Sequence, residues 1–294
     1  IEDNYTACIE NLNDNNYLLS EYINGEQVHY LQSLFLAEKE VAQRLSRHLD
    51  VKETKQEQQL SNKVSKWLSL YCEYSQMNFS DQQIEAIKGC ALHNFFIITG
   101  GPGVGKTTVS KAIIKMFKSM KKSVLLAAPT GRAAKRMLEV TGEPGKTIHR
   151  LLEWSASEGR FLKSENSPID CDLLLIDESS MIDIKLASQL VRAVSPRTQV
   201  IWIGDVDQLP SVGPGKVLYD LLSCERIPAI RLTTVYRQAL GSKIITSAHA
   251  INQGKVPSFE HKDKDDCFFV EAQDEDINLN IEDLIQNSLS KAWV

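Results

Sequence analysis

The sequence predicts an α/β protein: a parallel sheet with helices on both faces, preceded by a small, mainly helical domain. Three observations predict it. From residue 95 onward, short apolar runs alternate with stretches of helical periodicity (Phe95–Thr99, Ser123–Ala128, Leu173–Ile176 and Gln199–Ile203), the rhythm of strands buried on both faces. GGPGVGKTT at 100–108 follows the first run directly and opens a helical pattern. The run LLLI at 173–176 ends in two carboxylates, where a parallel sheet binds its ligands.

The 294 residues suffice for a sizeable core and suggest about two domains. Residues 1–75 read as the small helical domain, 76–227 as the sheet domain, and 228–294 as the start of another unit. At the front, YLLSEYINGEQVHYL (17–31) reads as a hairpin turning at Asn24-Gly25, since that dipeptide accepts the positive φ angles of a tight turn. Leu31, Leu34, Phe35, Val41, Ala42, Leu45 and Leu49 then recur at helical spacing. Residues 50–62 are polar, a loop or a solvated helix start, and a further helix is expected over 60–73. Ser80 is a candidate N-cap for a helix over 81–92. A polar, Ser/Glu-rich stretch at 154–168 breaks the strand–helix rhythm and reads as an insertion. Beyond it, CFFVEA (267–272) reads as a strand and 275–289 as a helix.

Composition sets the frame. Hydrophobic residues are 43% and charged residues 24%, an ordinary globular balance, and no apolar run reaches the roughly 20 residues of a membrane helix. The opening Ile1 and its polar sequel read as no signal peptide and as a piece of a longer protein. The six cysteines are scattered, with neither CxxC nor zinc spacing, which reads as reduced thiols in a cytoplasmic protein. A net charge of −5 argues against a nucleic-acid partner until its distribution is read. Residues 101–150 hold eleven Lys/Arg against Glu139 and Glu143, whereas 260–294 hold ten Asp/Glu against three Lys. Local sign governs attraction to phosphates. The lysines of 111–122 read as a solvated helix face; Arg132, Lys135, Arg136 and Arg150 are the better candidates for DNA.

The glycine-rich loop carries the strongest chemistry. Gly101, Pro102, Gly103, Val104 and Gly105 let backbone N–H groups curl around phosphate oxygens, and the helix opening at Lys106, Thr107 and Thr108 adds its dipole. Lys106 suits the β- and γ-phosphates of ATP, and the Thr107 hydroxyl suits Mg²⁺. Asp177 suits the same Mg²⁺, and Glu178 suits polarisation of the attacking water. Kinases, switch GTPases and helicases share such a loop, so further segments decide among them. IWIGDVDQLPSVGPG (201–215) ends a strand in Gly204, Asp205 and Gln208. LTTVYRQ (232–238) supplies Arg237, and NFSDQQIEAI (78–87) supplies Gln83.

The ordered set GGPGVGKTT, APTGRAAKR (128–136), KTIHRLL (146–152), LLLIDESSMID, GDVDQLPSVGPG, VYRQ and SAHAINQGKVP (247–257) resembles superfamily 1 helicases of the RecD type, the alpha subunit of exodeoxyribonuclease V and its stand-alone relatives. The resemblance spans roughly 17–294 and implies RecA-like domains. It also implies roles. Gln83 would recognise adenine, Lys106 and Thr107 would serve phosphate and metal, and Asp177 and Glu178 metal and water. Gln208 would sense the γ-phosphate, and Arg237 would reach the transition state as an arginine finger. Thr130, Arg132, Thr147 and His149 would line the single-strand track. The alternatives are plainer: Gln83 on a helix surface, Arg237 in a surface ion pair, His149 in the core. The insertion matches the place of a strand-parting hairpin, where Trp154 and Phe161 face bases or cap the insertion's own small core.

The family carries further motifs after the arginine finger, and neither is found before Val294. The expectation is therefore weak ATP binding and no unwinding by these residues alone. Three functions compete: a 5′→3′ DNA helicase of recombination or repair, working alone or with nuclease partners; a nucleotide-gated, non-motor subunit of a nuclease complex; and a small-molecule kinase. The last leaves GDVDQLP and TIH unexplained.

Overall fold

The computed structural model describes residues 2–49, 57–236, 241–257 and 266–267. Its chain order opens with α1 (Glu2–Asp14), β1 (Leu18–Ile23), β2 (Glu26–Leu31), α2 (Gln32–Leu49), α3 (Glu57–Ser75) and α4 (Asp81–Leu92). The sheet region follows: β3 (Phe95–Gly100), α5 (Lys106–Ser119), β4 (Val124–Ala128), α6 (Gly131–Thr141), β5 (Gly145–Thr147) and α7 (Ile148–Leu151). A short hairpin, β6 (Trp154–Ser155) and β7 (Arg160–Phe161), comes next. Then follow β8 (Leu173–Ile176), a 3₁₀ turn at Ser179–Met181, α8 (Ile184–Ala193), β9 (Gln199–Gly204), α9 (Val217–Leu222), β10 (Ala229–Leu232) and α10 (Lys243–Asn252).

Six strands form one parallel sheet in the order β10-β3-β9-β8-β4-β5. Period-two alternation sends side chains to opposite faces. Phe95, Ile97, Leu174, Ile176, Val200 and Trp202 point into one core, shared with α2, α8 and α9. Phe96, Ile98, Leu173, Leu175, Ile201 and Ile203 point into the other, shared with α3, α4, α5 and α6. Helices thus cover both faces, as expected. Because all strands are parallel, the ends of β3, β9, β8, β4 and β5 open on one edge, and each of those ends carries one of the motifs.

The front of the chain corrects the predicted domain organisation. Residues 1–236 form one compact unit. On α2, Ala37, Val41 and Leu45 are buried in the first core. On α3, Val64 and Leu68 are buried in the second. Residues 1–75 are therefore shared between the two faces of the sheet. The helical spacing was legible, but the partner of each stripe was not. The hairpin β1–β2 turns where expected, with Asn24 and Gly25 at φ 53° and 88°. Helix α1, which the polar opening had not suggested, precedes it. The second boundary also moves. β10 pairs in parallel with β3, so 228–236 stay with the first unit, and the break falls after Tyr236. In the second unit, Asp266 accepts hydrogen bonds from the Ser242 hydroxyl at 2.5 Å and the Lys243 N–H at 2.6 Å, capping α10. The expected strand over 268–272 and helix over 275–289 lie outside the described residues. Among the described residues, no helix is long and apolar enough to cross a membrane.

Candidate nucleotide site

Local chemistry sets each piece of the site. Gly103 and Gly105 sit in the left-handed region at φ 77° and 83°, which a side chain resists, and Gly105 is the N-cap of α5. A Cβ on Gly105 would stand 2.3 Å from Nε2 of Gln83, so the glycine also permits a close approach. Val104 is buried and anchors the loop in the second core. Lys106 is folded back within the loop, its Nζ donating to the Gly101 carbonyl at 2.9 Å and to that of Gly100. Thr107 is exposed at the helix start.

Three carboxylates answer this lysine. Burial pushes Lys106 below its ordinary value, and the charges of Asp205, Glu178 and Asp177 oppose that shift. Asp177 follows β8 and extends its ladder, donating its N–H to Ala127 O at 3.0 Å. Burial raises its pKa, while the Glu178 N–H (2.9 Å to Oδ1) and Lys106 pull it down. Glu178 adopts a left-handed backbone at φ 53° and is also raised, first by burial and then by its neighbour Asp177. Asp205 follows β9, the strand between β3 and β8, and is 2% exposed. It accepts from the Asp207 N–H at 3.1 Å and from Gln208 Nε2 at 3.4 Å. Lys106 thus lies within electrostatic reach of Asp177 and Glu178, with Asp205 as a fourth member of the group. Sequence reasoning noted Asp205 at its strand end without giving it a role; its signal was the one that marks Asp177, a carboxylate closing an apolar run.

Gln83 is 2% exposed, which overturns the helix-surface alternative. It forms a capping box with Ser80: its N–H donates to the Ser80 hydroxyl at 3.4 Å, and Ser80 N–H donates back to Oε1 at 3.2 Å. Its Nε2 donates to Val104 O at 3.4 Å, and Tyr236 Oη donates to its Oε1. The amide thus lies against the glycine-rich loop. Gln82, one residue earlier, accepts from Thr233 N–H at 2.9 Å, and Tyr236 N–H donates to Gly103 O at 3.3 Å. Together these bonds hold 233–236 over the loop. Nothing in the sequence pattern had marked Gln82 or Tyr236. Arg237, the next residue, lies outside the described ones.

The four candidate DNA residues gather at the ends of β4 and β5, beside β8 on the same edge. Thr130 caps α6, its hydroxyl accepting from Ala133 N–H at 3.2 Å; Thr147 caps α7, accepting from Arg150 N–H at 3.2 Å. Arg132 is exposed on the first turn of α6. His149 is exposed too, against the core alternative, with its ring 5.6 Å from that of Phe161. The insertion is a two-stranded hairpin in which Trp154 meets Phe161 edge-on at 4.9 Å.

Residues 83–214, from Gln83 to Pro214, match the family model described as an AAA domain. Over 183 residues the chain is 41% identical to the ATP-dependent RecD2 DNA helicase of Deinococcus radiodurans, covering 62% of this chain and 25% of that protein. It is 32% identical over 212 residues to the RecBCD enzyme subunit RecD of Buchnera aphidicola subsp. Schizaphis graminum, covering 64% of this chain and 34% of that one. Over this stretch the chain is similar to RecD-type proteins. It spans about a quarter to a third of the length of these relatives. Among solved structures, the chain is similar to the Pif1 helicase from Candida albicans, at 20% identity and a TM-score of 0.47, over 71% of this chain and 55% of that one.

Proposed function

We propose that this chain carries the nucleotide-binding part of an ATP-driven DNA helicase that translocates on single-stranded DNA in recombination or repair. The observation that carries the reading is the meeting of Lys106 with Asp177, Glu178 and Asp205 at the ends of three adjacent parallel strands. The names of its RecD and RecD2 relatives support the same reading.

In this mechanism the N–H groups of 101–105 cradle the phosphates, and Lys106 exchanges the carbonyls of Gly100 and Gly101 for phosphate oxygens. Water attacks the γ-phosphorus, the bond to the bridging oxygen breaks, ADP leaves, and the water proton passes to Glu178. Burial of Glu178 raises its proton affinity, which suits it to that role. The Thr107 hydroxyl and Asp177 carboxylate are hard oxygen donors and would hold Mg²⁺. When bound, the ion neutralises phosphate charge. Gln208, hydrogen-bonded to Asp205, senses the γ-phosphate. Gln83 serves the adenine side of the loop, and Arg237 supplies the arginine finger. Thr130, Arg132, Thr147 and His149 bind the strand, hydroxyl and guanidinium groups holding phosphates without reading sequence. By family, movement is 5′→3′, the setting is cytoplasmic, and nuclease or helicase subunits of an exodeoxyribonuclease V complex are candidate partners.

The test is Glu178→Gln in the full-length protein that carries this chain. Turnover with single-stranded DNA should fall by about 10²–10⁴ while nucleotide still binds. Undiminished turnover would overturn the assignment.

A further inference from the structure

We propose that Arg136 is a positioning residue that restrains Glu178, and that a phosphate of the bound strand releases the carboxylate by taking the guanidinium. The proposal rests on the reading of Glu178 as the group that polarises water. Helix α6 starts where β4 ends and carries Arg132 and Arg136 at positions i and i+4, on one face. Ala134 and Met137 bury the opposite side in the second core, which fixes the helix. Near one end of that arginine face, an Arg136 Nη1 atom stands 4.0 Å from Glu178 Oε1. The Arg136 side chain is 70% exposed and that of Glu178 28%, so the contact joins a half-buried carboxylate to a cation open to solvent. The charge of Arg136 also acts on Lys106 and Asp177, which puts it within electrical reach of the whole site. Its neighbour Lys135 turns instead toward Glu139, at 3.9 Å.

The geometry favours exchange. Glu178 is held by its backbone, with its N–H bonded to Asp177 Oδ1, so the carboxylate's position depends on its side-chain torsions. A contact at 4.0 Å is a loose, single-point attraction. A phosphate offers the planar guanidinium two parallel hydrogen bonds, a stronger arrangement. A strand lying along α6 and held by Arg132 therefore brings a better partner within reach of Arg136. Glu178 then loses its lateral restraint and turns toward water. DNA occupancy and hydrolysis are thereby linked through one side chain, without movement of the sheet.

The experiment compares Arg136→Gln and Arg136→Lys in the full-length protein, measuring ATP turnover without DNA and at saturating oligo(dT), alongside Glu178→Gln. Arg136→Gln should raise DNA-free turnover about two- to five-fold, the factor a partly exposed ion pair can carry, and lower the stimulation ratio correspondingly. Arg136→Lys, which keeps the charge, should stay within about two-fold of the native DNA-free rate. Raising salt should increase the native DNA-free rate relative to that of Arg136→Gln, because only the native pair is there to be screened. Unchanged or lower DNA-free turnover in Arg136→Gln, or a Lys variant that behaves like Gln, would overturn the proposal. If Glu178→Gln keeps full turnover, the role of Glu178 itself fails; if it is inactive and Arg136→Gln is silent, only the restraint fails.

Discussion

Two glycines share a backbone conformation but not an environment, and substituting each separates the two causes. Gly105 has φ 83° and Gly142 has φ 76°, so an alanine at either site meets the left-handed penalty of about 1–2 kcal/mol. At Gly142, the cap of α6, a Cβ meets nothing within 4 Å. At Gly105 it stands 2.3 Å from Gln83 Nε2 and 3.3 Å from Tyr236 Cε2. The Gln83 amide can swing away only by giving up its hydrogen bond to Val104 O, and with it the geometry of the Ser80 cap. One lost hydrogen bond in a buried setting costs about 1 kcal/mol more. Gly142→Ala should therefore destabilise by about 1–2 kcal/mol, and Gly105→Ala by about 2–3 kcal/mol. Urea unfolding followed by tryptophan fluorescence gives both values, with unchanged m-values as the check on a common unfolded state. Gly105→Ala should in addition weaken binding of a fluorescent ATP analogue, whereas Gly142→Ala should not. Equal destabilisation by the two variants would refute the argument that the amide of Gln83 is packed against the loop.

Two further outcomes follow from burial. Leu45→Ala on α2 removes a side chain 3% exposed in the first core and should cost about 2–5 kcal/mol. Because 1–236 is one compact unit, the loss should lower a single shared transition; an early transition of the front segment, with the sheet unaffected, would contradict that organisation. Burial raises the pKa of Asp177, so the folded chain holds that proton to higher pH than the unfolded chain does. The stability it contributes therefore falls as pH rises from the unfolded carboxylate value through the raised folded one. Asp177→Asn, which keeps an oxygen to accept the Glu178 N–H, should melt higher than the native protein at pH 8 and lose that advantage by about pH 4. A gap larger at pH 4 than at pH 8 would contradict this sign.

Local signals in the sequence were strong wherever one physical cause dominated. Asn24-Gly25 specified its turn through positive φ, and Ser80 marked the start of α4 because only a side-chain acceptor there satisfies the first helical N–H groups. The strand ends at Ile176 and Gly204 followed from apolar runs that stop at carboxylates. Spatial order was not legible. That β9 lies between β3 and β8, and so delivers Asp205 to Lys106, depends on which strands pair, and strands buried on both faces look alike in sequence. The stripe on α2 was plain, yet its partner, α8, lies more than 100 residues away, so it read as a domain of its own. The same holds for β10, four residues that acquire a meaning only by pairing with β3. Gln82 and Tyr236 escaped for a related reason: each acts through a neighbour distant in sequence.

The proposed mechanism requires that the loop lysine and the strand-end carboxylate act on the same bound nucleotide. A double-mutant cycle measures this directly: Mg·ADP affinity, by calorimetry on the full-length protein, for native, Lys106→Met, Asp177→Asn and the double variant. Groups converging on one ligand should couple by about 0.5–3 kcal/mol, the second substitution costing far less once the first is made. Losses that simply add would mean that Lys106 and Asp177 serve separate ends, and the shared-nucleotide account would fall.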